Sequence, residues 1–111
     1  MKSKELLLPA YLEMQNQALV SLMDAYKDLL AGTDLISFIQ SVIVSNKEKS
    51  QRIESFIDNI QNTDVQDYIR IYQRKKDWGD VCKEVFGYRD THYCMKAVNR
   101  YLRKTDFEKL T

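Results

Sequence analysis

Glycine and proline occur at only four positions in this chain, Pro9, Gly32, Gly79 and Gly87. A chain that reverses direction often, as an all-β protein must, needs those residues at its turns. Here long stretches between them carry apolar residues at helical spacing, and no stretch alternates convincingly with the two-residue period of a strand. The expected fold class is therefore all-α, an N-terminal helical hairpin followed by a C-terminal helix-turn-helix-like bundle. At 111 residues the chain makes one domain. Two parts are distinguished within it, an acidic hairpin over 1–62 and a basic helix-turn-helix region over 63–111, in one compact unit.

Pro9 suits the first turn of a helix, where its missing N–H costs nothing. Leu12, Leu19 and Tyr26 then form one heptad row, with Leu22, Met23, Leu29 and Leu30 as the partner row. Gln15 and Asn16 interrupt it. Gly32 is a C-cap, and Thr33-Asp34 offers the next N-cap. The second helix should turn Leu35, Ile39, Val42 and Ile43 inward. From Ser45 to Arg52 the sequence is wholly polar, and two readings stay open. Ser45 with Glu48 is a capping box that would start a new helix. Alternatively one long helix passes through on good helix formers. Ile53, Phe56, Ile57 and Ile60 resume the stripe, and two antiparallel helices would bury these stripes on each other.

Further on, Thr63 with Gln66 reads as another capping box. A helix from Asp64 to about Lys75 has Val65, Tyr68, Ile69 and Tyr72 on one face. Asp77 caps a short helix with Trp78, Val81, Cys82, Val85 and Phe86 as its apolar side, and Gly87 stops it. A last helix, about 91–104, has Cys94, Ala97, Val98, Tyr101 and Leu102 at i, i+3, i+4, i+7 and i+8. The apolar runs are too short to span a bilayer, and the first residues lack the apolar stretch of a signal peptide. A soluble protein of the cytoplasm is the expectation.

The charge is uneven. Residues 1–69 hold six Lys/Arg against ten Asp/Glu, whereas residues 70–104 hold ten against four. A basic C-terminal third on an acidic support suggests a polyanion partner, although chance clustering on a solvated surface would give the same split. The last two predicted helices, joined through Gly87, have the helix-turn-helix pattern, in which the second helix protrudes enough to enter a major groove. Its outer face presents His92, Lys96, Asn99, Arg100 and Arg103. Asn and Arg suit bidentate contacts with adenine and guanine edges, and the later arginines suit phosphates. Double-stranded DNA is the expected partner, and the candidate DNA-binding residues are Arg89, Thr91, His92, Lys96, Asn99, Arg100 and Arg103.

The segment 78–102, Trp-Gly-Asp-Val-Cys-Lys-Glu-Val-Phe-Gly-Tyr-Arg-Asp-Thr-His-Tyr-Cys-Met-Lys-Ala-Val-Asn-Arg-Tyr-Leu, resembles the helix-turn-helix of small phage and prophage transcriptional activators of the ArpU/RinA kind. That segment is similar in turn to the promoter-reading last domain of sigma factors. The lead-in from Asn46 through Ile57-Asp-Asn-Ile, then Asp64 to Tyr72, is similar to theirs, so the resemblance covers roughly 46–104. It implies an all-α regulator acting at promoters of phage or mobile-element genes, working with RNA polymerase. The sequence departs from the pattern in two places. The spacing from Cys82 to Gly87 is one residue longer, and Asp90 and Thr91 stand where small polar and basic residues are usual.

Cys82, His92 and Cys94 are the only Cys and His, one ligand short of a zinc site, and both cysteines fall on core faces as buried thiols. No catalytic pair and no Gly-rich phosphate loop is present, so neither enzyme activity nor a cofactor or metal is expected. Most tyrosines fall at core spacing; Tyr88 and Tyr93 are able to touch a DNA backbone, but core packing is the favoured reading for them too. The heptad rows permit a homodimer through the N-terminal helices, and an intramolecular hairpin would use them equally well. The competing function is a helical protein–protein inhibitor or adaptor of phage origin, antagonising a host nucleic-acid enzyme and keeping a degenerate helix-turn-helix. A small DNA-packaging recognition subunit would share the charge logic.

Overall fold

The computed structural model describes residues 1–104, which are all-α, with no strand among them. A 3-10 turn, Ser3–Leu7, leads into α1 (Leu8–Ala25), the single turn α2 (Lys27–Leu30), α3 (Asp34–Asp58), α4 (Thr63–Lys75), α5 (Trp78–Phe86) and α6 (Tyr93–Leu102). The predicted basic region 63–111 extends beyond the described residues.

α1 and α3 pack side by side along their length. Leu12 of α1 and Ile39 and Ile43 of α3 are buried in the seam, and Leu19, Met23 and Ile36 are half-buried. Gln15 and Asn16, which break the apolar row, lie at this seam. Asn46 Nδ2 donates to Gln15 Oε1 at 2.7 Å and to Asn16 Oδ1 at 2.9 Å, and Asn16 Nδ2 donates to the Ile43 carbonyl at 3.2 Å. A polar cluster inside an apolar seam fixes the register of two helices, because sliding by a turn would strand its donors.

The polar stretch 45–52 is uninterrupted helix, so Ser45 and Glu48 do not start a new one. The first helix does break, at Tyr26, before reaching Gly32. Leu35 is half-exposed, and Ile36 takes the inward place expected of it. The expected Thr63–Gln66 capping box is replaced by Asn62, whose side chain accepts from the Val65 N–H at 3.2 Å. Gln66 instead donates to the Ile57 carbonyl at 2.9 Å, tying α4 to the end of α3.

The main core lies at the other end of the hairpin. Ile53 and Ile57 of α3, Val65, Ile69 and Tyr72 of α4, Val81 and Cys82 of α5, and Cys94, Val98 and Leu102 of α6 meet there. Leu6, from the 3-10 turn, is fully buried in the same cluster. Tyr72 stacks on Trp78 with ring centres 3.9 Å apart. Arg70 joins α4 to α3 through Glu54 and Asp58. The core therefore spans the expected 62/63 boundary, and the outer end of the hairpin projects away from it. The extents are 55 × 28 × 17 Å and the radius of gyration is 17.6 Å, against about 13 Å for a compact domain of this length.

Candidate nucleic-acid interface

Asp77 starts α5 by accepting from the Asp80 N–H at 3.0 Å. Gly87 ends it with φ of +85°, where a Cβ would be strained. Residues 87–92 form a six-residue link, longer than the three or four residues usual between the helices of this motif. The α6 helix consequently starts at Tyr93, and Thr91 and His92 precede it rather than forming its first turn. Asp90 is the cap. Its Oδ1 accepts from the His92 N–H at 2.7 Å and the Tyr93 N–H at 3.3 Å. The His92 N–H, above all, holds the Asp90 carboxyl below its ordinary range, with the Tyr93 N–H and the charges of His92 and Lys96 acting the same way.

α6 is anchored by Cys94, Val98 and Leu102, all fully buried. Cys82 and Cys94 face each other with sulfurs 3.1 Å apart. Burial, then the Cys82 hydrogen bond and charge, push the Cys94 thiol up to about 12. These anchors turn the opposite side of α6 to solvent. His92, Lys96, Arg100 and Arg103 are exposed, as is Thr91. No ion pair engages Lys96, Arg100 or Arg103 among the described residues.

Two of the expected site residues are placed differently from the others. Asn99 is half-buried, lining a depression of about 500 Å³ with Met1 to Lys4 and Arg103. Arg89 turns back to the start of α5, pairing with Asp80 and, at 3.4 Å, with Asp77. A Cβ at Gly79 would sit 2.7 Å from the exposed Arg89 guanidinium and 3.0 Å from Asp77 Oδ1. Arg70 and Arg74 are likewise paired, the latter with Glu84 at 2.6 Å. The basic third of the sequence is thus partly neutralised internally; among the described residues Lys96, Arg100 and Arg103 make no ion pair on or at the end of α6, nor do Lys75, Lys76 and Lys83 on α4, at its end and on α5.

The fold adds residues that the sequence did not single out. Burial of Leu6 brings Lys2 and Lys4 beside Asn99 and Arg103, about a hundred positions away in the chain. No local signal could have found them, since only long-range packing sets their place. Near the start of α6, Phe86, Tyr88 and Tyr93 form an exposed aromatic cluster, with Phe86 edge-on to Tyr93 at 5.2 Å. The expectation that most tyrosines are core residues fails: Tyr68 and Tyr72 are buried and Tyr101 is half-buried, while Tyr11, Tyr26, Tyr88 and Tyr93 are exposed.

Among the described residues no group of three or more His, Cys, Asp or Glu is placed to hold a metal ion, and no helix is long and apolar enough to cross a membrane. No family model, curated protein or solved structure matches the chain.

Proposed function

We propose that this chain is a duplex-DNA-binding regulatory protein that lays the exposed face of α6 against the nucleic acid. One observation carries the reading. Lys96 and Arg100 on the solvent face of α6 and Arg103 at its end make no ion pair among the described residues, and the fold adds Lys2 and Lys4 at the C-terminal edge. Lys96 and His92 lie near the start of α6, where base edges are read, and Arg100 and Arg103 lie where phosphates are held. Promoters of phage or mobile-element genes are the proposed targets, in keeping with the ArpU/RinA-like segment 78–102. RNA polymerase is the proposed protein partner and the bacterial cytoplasm the proposed location.

The test is duplex binding by fluorescence anisotropy across a salt series. Five phosphate contacts give a slope of log affinity against log salt of about −4.5, which is roughly 500-fold between 50 and 200 mM. Arg103→Ala should flatten the slope by about one unit, and Arg100→Ala should cost about 1–3 kcal/mol if it reads a base. Absence of duplex binding at 50 mM salt would end this reading.

The adaptor reading draws on different observations. Arg89 is already neutralised by two carboxylates, and Asp90 occupies the α6 N-terminus that a phosphate would otherwise use. A helical antagonist of a nucleic-acid enzyme would keep such a fold without binding DNA, and it would show no salt-steep duplex affinity.

A further inference from the structure

A depression of about 540 Å³ opens where α4 meets the end of α5 and the start of α6. Asp64, Asp67 and Tyr68 come to it from α4, at the i, i+3 and i+4 positions of one helix face. Glu84 and Phe86 come from α5, and Tyr93 from α6. Phe86 meets two rings, tilted against Tyr68 with centres 6.3 Å apart and edge-on to Tyr93 at 5.2 Å. Phe86 and Tyr93 are exposed, whereas Tyr68 is only 8% exposed. The Tyr68 hydroxyl makes no hydrogen bond among the described residues. No fully buried side-chain oxygen or nitrogen there lacks a partner. The unpartnered hydroxyl therefore reaches the surface, in the depression that Tyr68 lines.

The charges around the depression are unevenly satisfied. Arg70, which also lines it, is held by Glu54 and Asp58, and Glu84 is paired with Arg74 at 2.6 Å. Asp64 and Asp67 make no ion pair among the described residues. Asp64 lies in the first turn of α4, where an acid suits the helix dipole, and Asp67 lies beyond the reach of that effect. Burial above all, then the neighbouring Cys94 and Asp64, raise the Tyr68 hydroxyl above its ordinary value, which keeps it neutral with lone pairs to offer. Aromatic ring faces carry negative potential, so rings, carboxylates and hydroxyl all favour positive charge. We propose that this depression receives an arginine side chain presented by a protein partner.

A guanidinium is flat and weakly hydrated. It lies on an exposed ring within about 6 Å of the centre while its fork of N–H donors reaches carboxylate and hydroxyl oxygens together. An ammonium is a point charge with a tighter hydration shell, and it meets such a spread of acceptors less well. A nucleobase would also stack on Phe86 or Tyr93, but its phosphates would be drawn toward Asp64 and Asp67, the two carboxylates left unpaired. Magnitude chooses between a free cation and a side chain on a protein. One ring and two exposed carboxylates hold a lone cation only at about millimolar concentration. The arginine is therefore an anchor within a larger interface, where surrounding contacts supply the rest. Lys96, Arg100 and Arg103 take no part in this site, so it is independent of what they bind.

Titration of the full chain with acetyl-Gly-Arg-Gly-amide, read from the ring-proton resonances of Tyr68, Phe86 and Tyr93, tests the site without DNA. Half-saturation is expected at about 1–10 mM peptide in about 20 mM salt. The citrulline peptide, which keeps the shape without the charge, should bind at least about tenfold more weakly. Asp64→Asn with Asp67→Asn should weaken the arginine peptide about three- to tenfold. Helical circular dichroism should be unchanged, because both side chains are exposed. Dodecapeptides selected from a random library by the native chain, after depletion on that double variant, should share an arginine. They should bind at least about tenfold tighter than the tripeptide. Ring resonances that do not move at about 50 mM arginine peptide overturn the proposal, as does an equal response to citrulline or an affinity that the double variant leaves unchanged. Library peptides with no common arginine, or none tighter than the tripeptide, overturn the protein partner and assign the depression to a small free cation. An oligothymidylate that moves the same rings more than the arginine peptide does overturns it in favour of unpaired nucleic acid.

Discussion

Leu6→Ala tests whether the N-terminal segment is part of the core or merely lies on it. Residues this near a terminus usually fray, yet Leu6 is fully buried and its carbonyl accepts from Gln73 Nε2 at 2.9 Å. The substitution removes three carbons, about 2.4 kcal/mol at 0.8 kcal/mol each. The void left between the turn, α4 and α6 adds to this, for a total of about 3 kcal/mol or more. Melting should fall by roughly 12 °C for a chain of this size. The urea midpoint should fall by at least about 1 M with an unchanged slope. Met14→Ala, on an exposed side chain, serves as the control and should stay within about 0.5 kcal/mol. A loss below about 1 kcal/mol for Leu6→Ala would refute the reasoning, because a terminus that frays contributes nothing to the cooperative unit. The same variant, in conditions where it remains folded, should lower the salt dependence of duplex binding by up to about two units as Lys2 and Lys4 lose their fixed place.

Gly79→Ala should be nearly neutral in the native background, where a helix-propensity gain of about 0.5–1 kcal/mol offsets displacement of the exposed Arg89 pairs. In an Arg89→Ala background more of the gain should appear, the Cβ still meeting Asp77 Oδ1 at 3.0 Å, and a double-mutant cycle in urea measures the difference. Asp90 has a depressed folded pKa. Its contribution is therefore present above the unfolded value and is lost as pH falls through the folded one. Between pH 5 and pH 2, acid titration should destabilise the native chain more than Asp90→Asn, which keeps the cap acceptor. That variant should also bind duplex about two- to fivefold more tightly at low salt, by removing an acid beside the α6 N-terminus. Both thiols are fully buried and Cys94 is pushed up to about 12. A thiol reagent at pH 8 should therefore leave the folded protein unlabelled and modify both cysteines only at the rate of unfolding.

Helical periodicity was legible because it is local. The inward faces of α4 and α6, the Asp77 cap and the Gly87 stop depend on residues within a turn or two of one another. The exposed cations of α6 follow from the same periodicity, since fixing Cys94, Val98 and Leu102 inward fixes Lys96, Arg100 and Arg103 outward. Capping boxes were less legible. Ser45 and Thr63 have the right neighbours for caps, but whether a helix starts there is decided by packing on either side. Ile43, Ile53 and Ile57 on a continuous stripe favour an unbroken α3, and Gln66 is drawn to the α3 carbonyls instead.

What local spacing dictated, then, is an all-helical chain and a basic outer side on its last helix. Three-dimensional packing settled which of several apolar stripes was used internally, leaving Leu22, Leu29 and Phe38 outside although their spacing equals that of the buried rows. It also settled that Arg89 is neutralised and that Lys2 and Lys4 join α6. The physical reason is that a helix repeats every 3.6 residues whatever it faces. Periodicity names the stripes a helix offers, and only the neighbour that arrives across space selects among them.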